Sequence, residues 1–169
     1  MATNSDNTLY EINTGIPPTD ACVVMVRTEW NASIVDKLEE GCRKVFNDYG
    51  IAEIKTLSVP GAFEIPFAIK SYWEAYQNSE NLRPDAFIAL GCVIRGDTPH
   101  FDYVCKAVTD GVVNLNLQLP VPTIFGVLTV DNPQQAEERT GGVHGQKGEE
   151  AAITALKMIA LQRSFKNGK

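Results

Sequence analysis

The sequence predicts an α/β fold, a three-layer αβα sandwich around a parallel, doubly wound, four-stranded sheet. Three observations carry that prediction. Short continuous apolar runs, such as Ala21–Val26 and Ala86–Ile94, have the pattern of strands buried on both faces. Between them lie segments whose apolar residues recur at helical spacing. The two kinds alternate in the order βαβαβαβα, and right-handed crossovers between parallel strands then place helices on both faces of the sheet.

Residues 1–20 are polar and contain Gly15-Ile16-Pro17-Pro18, so they read as a tail outside a single domain spanning 21–169. Such a tail could add a strand to a neighbouring chain. Ala21–Val26 is the first strand. Ile34, Val35, Leu38, Cys42, Val45, Phe46 and Tyr49 mark the buried face of the first helix, and Gly50 follows as its stop signal. Lys55–Val59 reads as the second strand, ended by Pro60-Gly61. Ala62–Tyr76 reads as a helix despite Pro66, because proline is tolerated in a first turn. After a loop with Asn78, Ser79, Asn81 and Pro84 come the third strand, Ala86–Ile94, and the third helix, Phe101–Leu117. Thr123–Val130 is the fourth strand, Gln134–Arg139 a short helix after Pro133, and Gly141–Gly145 an interruption. Glu149–Ser164 closes the chain as a helix with Ala152, Ala155, Leu156 and Ile159 on one face. There is no internal repeat.

Of 169 residues, 44% are hydrophobic and 21% charged, ordinary values for a domain with one core. Fifteen Lys and Arg against 21 Asp and Glu leave a net charge of −6, with no basic footprint for nucleic acid. No apolar run reaches the ~20 residues that span a bilayer, and the first residues lack the basic and apolar regions of a secretion signal. A cytoplasmic protein without membrane or nucleic-acid partners is expected. Cys22, Cys42, Cys92 and Cys105 form no C-x-x-C pair and read as structural thiols. With only His100 and His144 as imidazoles, no metal site is expected.

In doubly wound folds ligands bind beyond the carboxyl ends of the strands, which makes the strand exits the candidate site. The first exit, Arg27-Thr28-Glu29-Trp30-Asn31, holds an indole that either packs or stacks on a heterocycle. At the second, Gly61 lets backbone approach a ligand, while Glu64 has the simpler reading of a carboxylate favourable to a helix start. At the third exit, Gly96 and Thr98 precede a helix whose free N–H groups and positive dipole end suit a phosphate. His100 beside it serves either as a proton-transfer group, since imidazole titrates near pH ~6.5, or as a surface residue. Neither G-x-x-x-x-G-K-[ST] nor G-x-G-x-x-G occurs there. Phe125 in the fourth strand reads as core, Arg139 as a cation at a helix C-terminus, and Lys147 as a solvated charge.

Three blocks identify a family resemblance. Pro60-Gly61-Ala62-Phe63-Glu64-Ile65-Pro66, Gly91-Cys92-Val93-Ile94-Arg95-Gly96-Asp97-Thr98-Pro99-His100-Phe101-Asp102 and Pro122-Thr123-Ile124-Phe125-Gly126-Val127-Leu128-Thr129 resemble those of lumazine synthases, in order and at family spacing. The resemblance runs from about Ala21 to Phe165 and includes Arg139 and Gly145-Gln146-Lys147-Gly148. It implies a flavodoxin-like sandwich and a cofactor-free condensation of 5-amino-6-ribitylaminouracil with 3,4-dihydroxy-2-butanone 4-phosphate. By the same resemblance Trp30 and Phe125 enclose the pyrimidine, Ala62, Phe63 and Glu64 hold the ribityl chain, and Cys92, Val93 and Ile94 meet the ring through backbone. Asp97, Thr98 and Arg139 form a phosphate cradle, and His100 is the general acid/base. Asn31 and Lys147 are secondary candidates.

The chain departs from the family pattern at two of these positions. Trp30 stands where many members have Phe, which keeps the stacking role. Asp97 stands where many have Ala, which leaves its backbone N–H a better phosphate ligand than its side chain. The resemblance also implies pentamers, or sixty-subunit shells of twelve pentamers, with sites between subunits, and riboflavin synthase as a candidate partner. A reading from another class is a non-catalytic flavin- or pterin-binding, or shell-forming, protein of the same fold. His100 and Arg139 argue against it, since a pure binder needs no acid/base beside a phosphate cradle.

Overall fold

The computed structural model describes residues 8–10 and 19–166. Strands β1 (Cys22–Thr28), β2 (Glu53–Val59), β3 (Ala86–Ile94) and β4 (Thr123–Val130) form one parallel sheet in the order β2-β1-β3-β4. Helices α1 (Ala32–Asp48), α2 (Ile65–Tyr76) and α3 (His100–Gln118) connect successive strands. The short α4 (Pro133–Glu137), a hairpin of β5 (Thr140–Gly142) and β6 (Gly145–Gln146), and α5 (Lys147–Lys166) complete the chain. The expected doubly wound sandwich is the observed architecture. The expectation of a strand-adding tail falls mostly on residues 1–7 and 11–18, outside the described residues.

The period-two alternation of the strands sorts the core into two layers. Val23 and Met25 face α1 and α5, joining Leu38, Cys42, Phe46, Ala152 and Leu156. Val24 and Val26 face α2 and α3, joining Ile65, Ile69, Trp73, Val108 and Val112. Because β1 and β3 lie inside the sheet, both of their faces are apolar, which is why they were legible as continuous runs.

Where boundaries differ from the sequence reading, the causes are local. β2 is an edge strand and starts at Glu53, opposite Cys22; its polar residues hide it from an apolar-run criterion. Residues Ala62–Glu64 form a 3₁₀ turn before α2, because Pro66 has no N–H for the carbonyl of Ala62 and the chain tightens instead, with Ile65 N–H donating to Ala62 O. The interruption expected at Gly141–Gly145 is the β5–β6 hairpin, whose glycines take positive φ, 115° at Gly141 and 78° at Gly145.

The last helix begins at Lys147 rather than Glu149, so Gly148 lies inside it, where α5 crosses α1. A Cβ there would sit 2.0 Å from the carbonyl oxygen of Leu38, and the Cys42 thiol donates to Gly148 O at 3.1 Å. Alanine would gain about 1 kcal/mol of helix propensity but would force the two backbones apart, and overpacking costs about 1–3 kcal/mol before that hydrogen bond is counted. Gly148→Ala is therefore expected to lower stability by about 1–2 kcal/mol, read as an earlier urea-unfolding midpoint; an unchanged midpoint would contradict the close crossing.

Candidate active site

The turn from β1 into α1 is tied to both neighbouring strand exits. Thr28, buried at the end of β1, donates through Oγ1 to Trp30 O at 3.2 Å. Glu29 N–H donates to Val59 O and Trp30 N–H to Pro60 O, at 2.9 and 3.2 Å. Asn31 takes the left-handed conformation, φ 57°, and its Nδ2 donates 2.8 Å to Cys92 O at the exit of β3. Asparagine tolerates this backbone better than most residues. The result is an indole held on a braced turn yet 73% exposed, whereas the packing tryptophan of this protein is Trp73, 7% exposed.

Beyond β2, Gly61 shows why a side chain is missing there. A Cβ on Gly61 would lie 3.1 Å from Glu64 Oε2 and 3.5 Å from Trp30 Cδ1, so carboxylate and indole converge over this one residue. Ala62 is buried beneath them, while Phe63 presents its ring to solvent at 62% exposure. Two unpartnered aromatic rings and a carboxylate thus share one rim, from residues 34 positions apart in the chain.

At the exit of β3 the Cys92 side chain turns into the core, leaving its backbone toward the rim. Burial pushes the Cys92 thiol up to about 11 and the Cys42 thiol up to about 12, so both stay protonated at neutral pH and neither is a thiolate nucleophile. Val93 and Ile94 are half-buried, and residues 95–100 are all exposed. Asp97 and Thr98 stand in front of the N-terminus of α3, and His100 is its first residue, its N–H donating a long 3.4 Å bond to Thr98 Oγ1.

Arg95, to which the sequence assigns no role, spans the base of this loop. Its Nε lies 2.9 Å from Asp131 Oδ1, its Nη1 3.3 Å from Asp102 Oδ1, and its guanidinium carbon 4.1 Å from the centre of the Phe101 ring. Nothing in local periodicity signals such a bridge, because its partners are six, seven and thirty-six positions away.

Phe125 and Lys147 lie apart from that rim. Phe125 pairs with Ala89, five residues before Ile94, which at ~3.3 Å per residue puts it roughly 16 Å down the sheet. It lines a cavity of about 350 Å³ on the open edge of β4 together with Leu9, Lys147, Glu150 and Thr154. Lys147 is not the solvated charge expected: it is 8% exposed, and its Nζ pairs with Glu150 Oε1 at 2.6 Å, so the cost of burying the ammonium is offset by a partner one helical turn on. Arg139 is half-buried at the end of α4, and its Nη1 donates 2.8 Å to Gln135 O, the helix-end contact that its position suggests. Among the described residues no group of three or more His, Cys, Asp and Glu is placed to hold a metal ion, and no helix is long and apolar enough to cross a membrane.

The arrangement offers stacking surfaces, a carboxylate for hydroxyls, and an anion-suited helix start with an imidazole beside it. A family model described as 6,7-dimethyl-8-ribityllumazine synthase matches residues 20–163. A protein of that name from Parabacteroides distasonis is 44% identical over 162 residues, covering 94% of this chain and 98% of the relative. One from Porphyromonas gingivalis is 50% identical over 137 residues, 80% and 81% of the two chains, and one from Bdellovibrio bacteriovorus is 48% identical over 143, 85% and 76%. With the match running through every strand of the sheet and every exit of the rim, the chain belongs to the 6,7-dimethyl-8-ribityllumazine synthase family.

Proposed function

We propose that this protein condenses 5-amino-6-ribitylaminouracil with 3,4-dihydroxy-2-butanone 4-phosphate to 6,7-dimethyl-8-ribityllumazine, releasing phosphate and water, in the biosynthesis of riboflavin. The observation that carries the reading is the convergence of Trp30 and Glu64 over Gly61, with Phe63 exposed next to Glu64, in a chain of this family. The flat pyrimidine stacks on Trp30, Glu64 accepts ribityl hydroxyls with Ala62 and Phe63 alongside, and backbone at Cys92, Val93 and Ile94 meets the ring edge. Phosphate sits at the N–H groups of Asp97 and Thr98, where the helix dipole favours an anion. An amine then attacks the ketone and an imine forms with loss of water; its tautomerisation to an enamine expels the C4 phosphate, the resulting C3 enol becomes a ketone beside the new methyl group, and attack of the second amine on that ketone, with loss of a second water, closes the ring. Each step moves a proton, and His100 is the group placed to move it. Holding two substrates in register supplies much of the remaining acceleration.

The site is completed by a second copy, with Phe125 and Arg139 supplied from the next subunit and Lys147 beside them. The register that separates Phe125 from Ile94 by roughly 16 Å supports this, because one chain cannot place both against the same ring. Two further features favour association. Tyr103, Val113 and Leu117 are exposed apolar side chains on α3, on the face that also carries the Lys106–Asp110 ion pair, and burial against a neighbour would remove them from water. β4 is also an open edge of the sheet, where residues 1–20 of a neighbour, outside the single domain of 21–169, would add a strand. The assembly is a pentamer, or twelve pentamers in a shell, and riboflavin synthase is its candidate partner. The four cysteines are free, which suits a reducing cytoplasm.

The test is to incubate the purified protein with both substrates and follow the fluorescence of the lumazine. Tight riboflavin binding without any product would favour the binding-protein alternative instead. Trp30→Ala should raise the KM for the uracil substrate about fivefold, as stacking contributes on the order of 1 kcal/mol, with the KM for the phosphate ketone unchanged. Steady-state kinetics with each substrate varied in turn checks this, and equal losses for both would assign Trp30 to holding the turn.

A further inference from the structure

The loop proposed to carry the phosphate cradle and the general acid/base has little packing of its own. Residues 95–100 are all exposed, and the one hydrogen bond from His100 into the loop is long, 3.4 Å. What fixes its direction must act at its two ends, the last residue of β3 and the first turn of α3. Arg95 reaches both. Its backbone N–H donates to Val130 O at 2.9 Å, continuing the β3–β4 ladder past Ile94. Its side chain then crosses under the loop, laying the guanidinium on Phe101, which is buried in the first turn of α3, and pairing with Asp102 in the same turn and Asp131 after β4.

We infer that Arg95 is a positioning residue for this reaction: it sets the angle at which α3 leaves the sheet, and so aims Thr98 and His100 at the substrates. The inference rests on the proposed roles of those two residues. Ion pairs as exposed as these, with side chains 45–64% accessible, contribute little to stability. Their consequence is orientation, held by a planar fork that engages two carboxylates while stacked on a ring, a combination that lysine cannot reproduce.

Steady-state kinetics on Arg95→Ala tests this. Misplacement of reacting groups by about 1 Å costs up to about 100-fold, so kcat/KM for the butanone phosphate should fall by about 10- to 100-fold through both kcat and KM. The KM for the uracil substrate, held by Trp30, Glu64 and backbone within β3 rather than by the loop after it, should stay within about twofold, and the thermal midpoint should hold. Arg95→Lys should recover only part of the loss. Asp131→Asn, a surface change unable to disturb folding on its own account, should lower activity in the same direction and add little in an Arg95→Ala background. Equal losses for both substrates with a lowered midpoint, or full activity of Arg95→Lys, would overturn the inference. Thr98→Ala and His100→Ala measured alongside separate the two levels: if they are impaired and Arg95→Ala is not, the positioning role fails and the site stands. If all three match the parent, the site reading itself fails, and this inference with it.

Discussion

His100→Ala is expected to lower kcat by up to about 100-fold with both KM values nearly unchanged, because the substitution removes a proton carrier and leaves the binding surfaces in place. The expectation lies at the low end for general acid/base catalysis, since two substrates already held in register retain the part of the acceleration that comes from proximity. The exposed position of His100 at the first turn of α3 makes the substitution structurally mild, as its side chain supports no core contact. A variant as fast as the parent would assign His100 to the surface.

The second large effect is expected at Arg139. Its Nη1 donates to Gln135 O, which orients the guanidinium, and in the proposed site the rest of the fork binds the phosphate. A charge-assisted hydrogen bond contributes about 1.5–3 kcal/mol, so Arg139→Ala should raise the KM for the butanone phosphate by about 10- to 100-fold, with the uracil substrate little affected. Arg139→Lys should restore only part, as a point charge cannot bind two oxygens at once. Combining the two variants tests the shared site. If His100 and Arg139 of one site belong to different subunits, random co-assembly of His100→Ala and Arg139→Ala chains leaves about a quarter of the sites with both residues, and activity returns on mixing. Chains carrying both residues of a site could never complement each other, and no recovery would place the site within one subunit.

The two residues also show how far the sequence reaches. His100 was singled out because it follows a buried strand at a point where doubly wound folds bind ligands, with proton transfer and a surface role weighed equally, and the same rule drew attention to Trp30 and Glu64. Arg139 and Phe125 carried only bland local readings, a helix-end cation and a core ring, and it was the family resemblance that attached roles to them. Those bland readings hold within the single chain, where Arg139 does cap α4 and Phe125 is half-buried.

The sequence by itself determined the order of elements and the sheet they build. Apolar periodicity is a local property, and strands buried on both faces or helices with one apolar face write it directly into consecutive residues. It also named the strand exits as the candidate site and, through its blocks, the family. Only the tertiary structure decided that Glu64 and Trp30 converge over Gly61, that Asn31 spends its amide on Cys92 O, and that Arg95 bridges the base of the loop. It alone set Phe125 far from the rim and buried Lys147, whose pairing with Glu150 is local to α5 but whose burial is not. These facts arise from strand register and from how closely helices approach, as at Gly148, and such distances join residues remote in the chain. No window of neighbouring residues contains them, because the free energy that fixes them comes from packing between elements rather than within one.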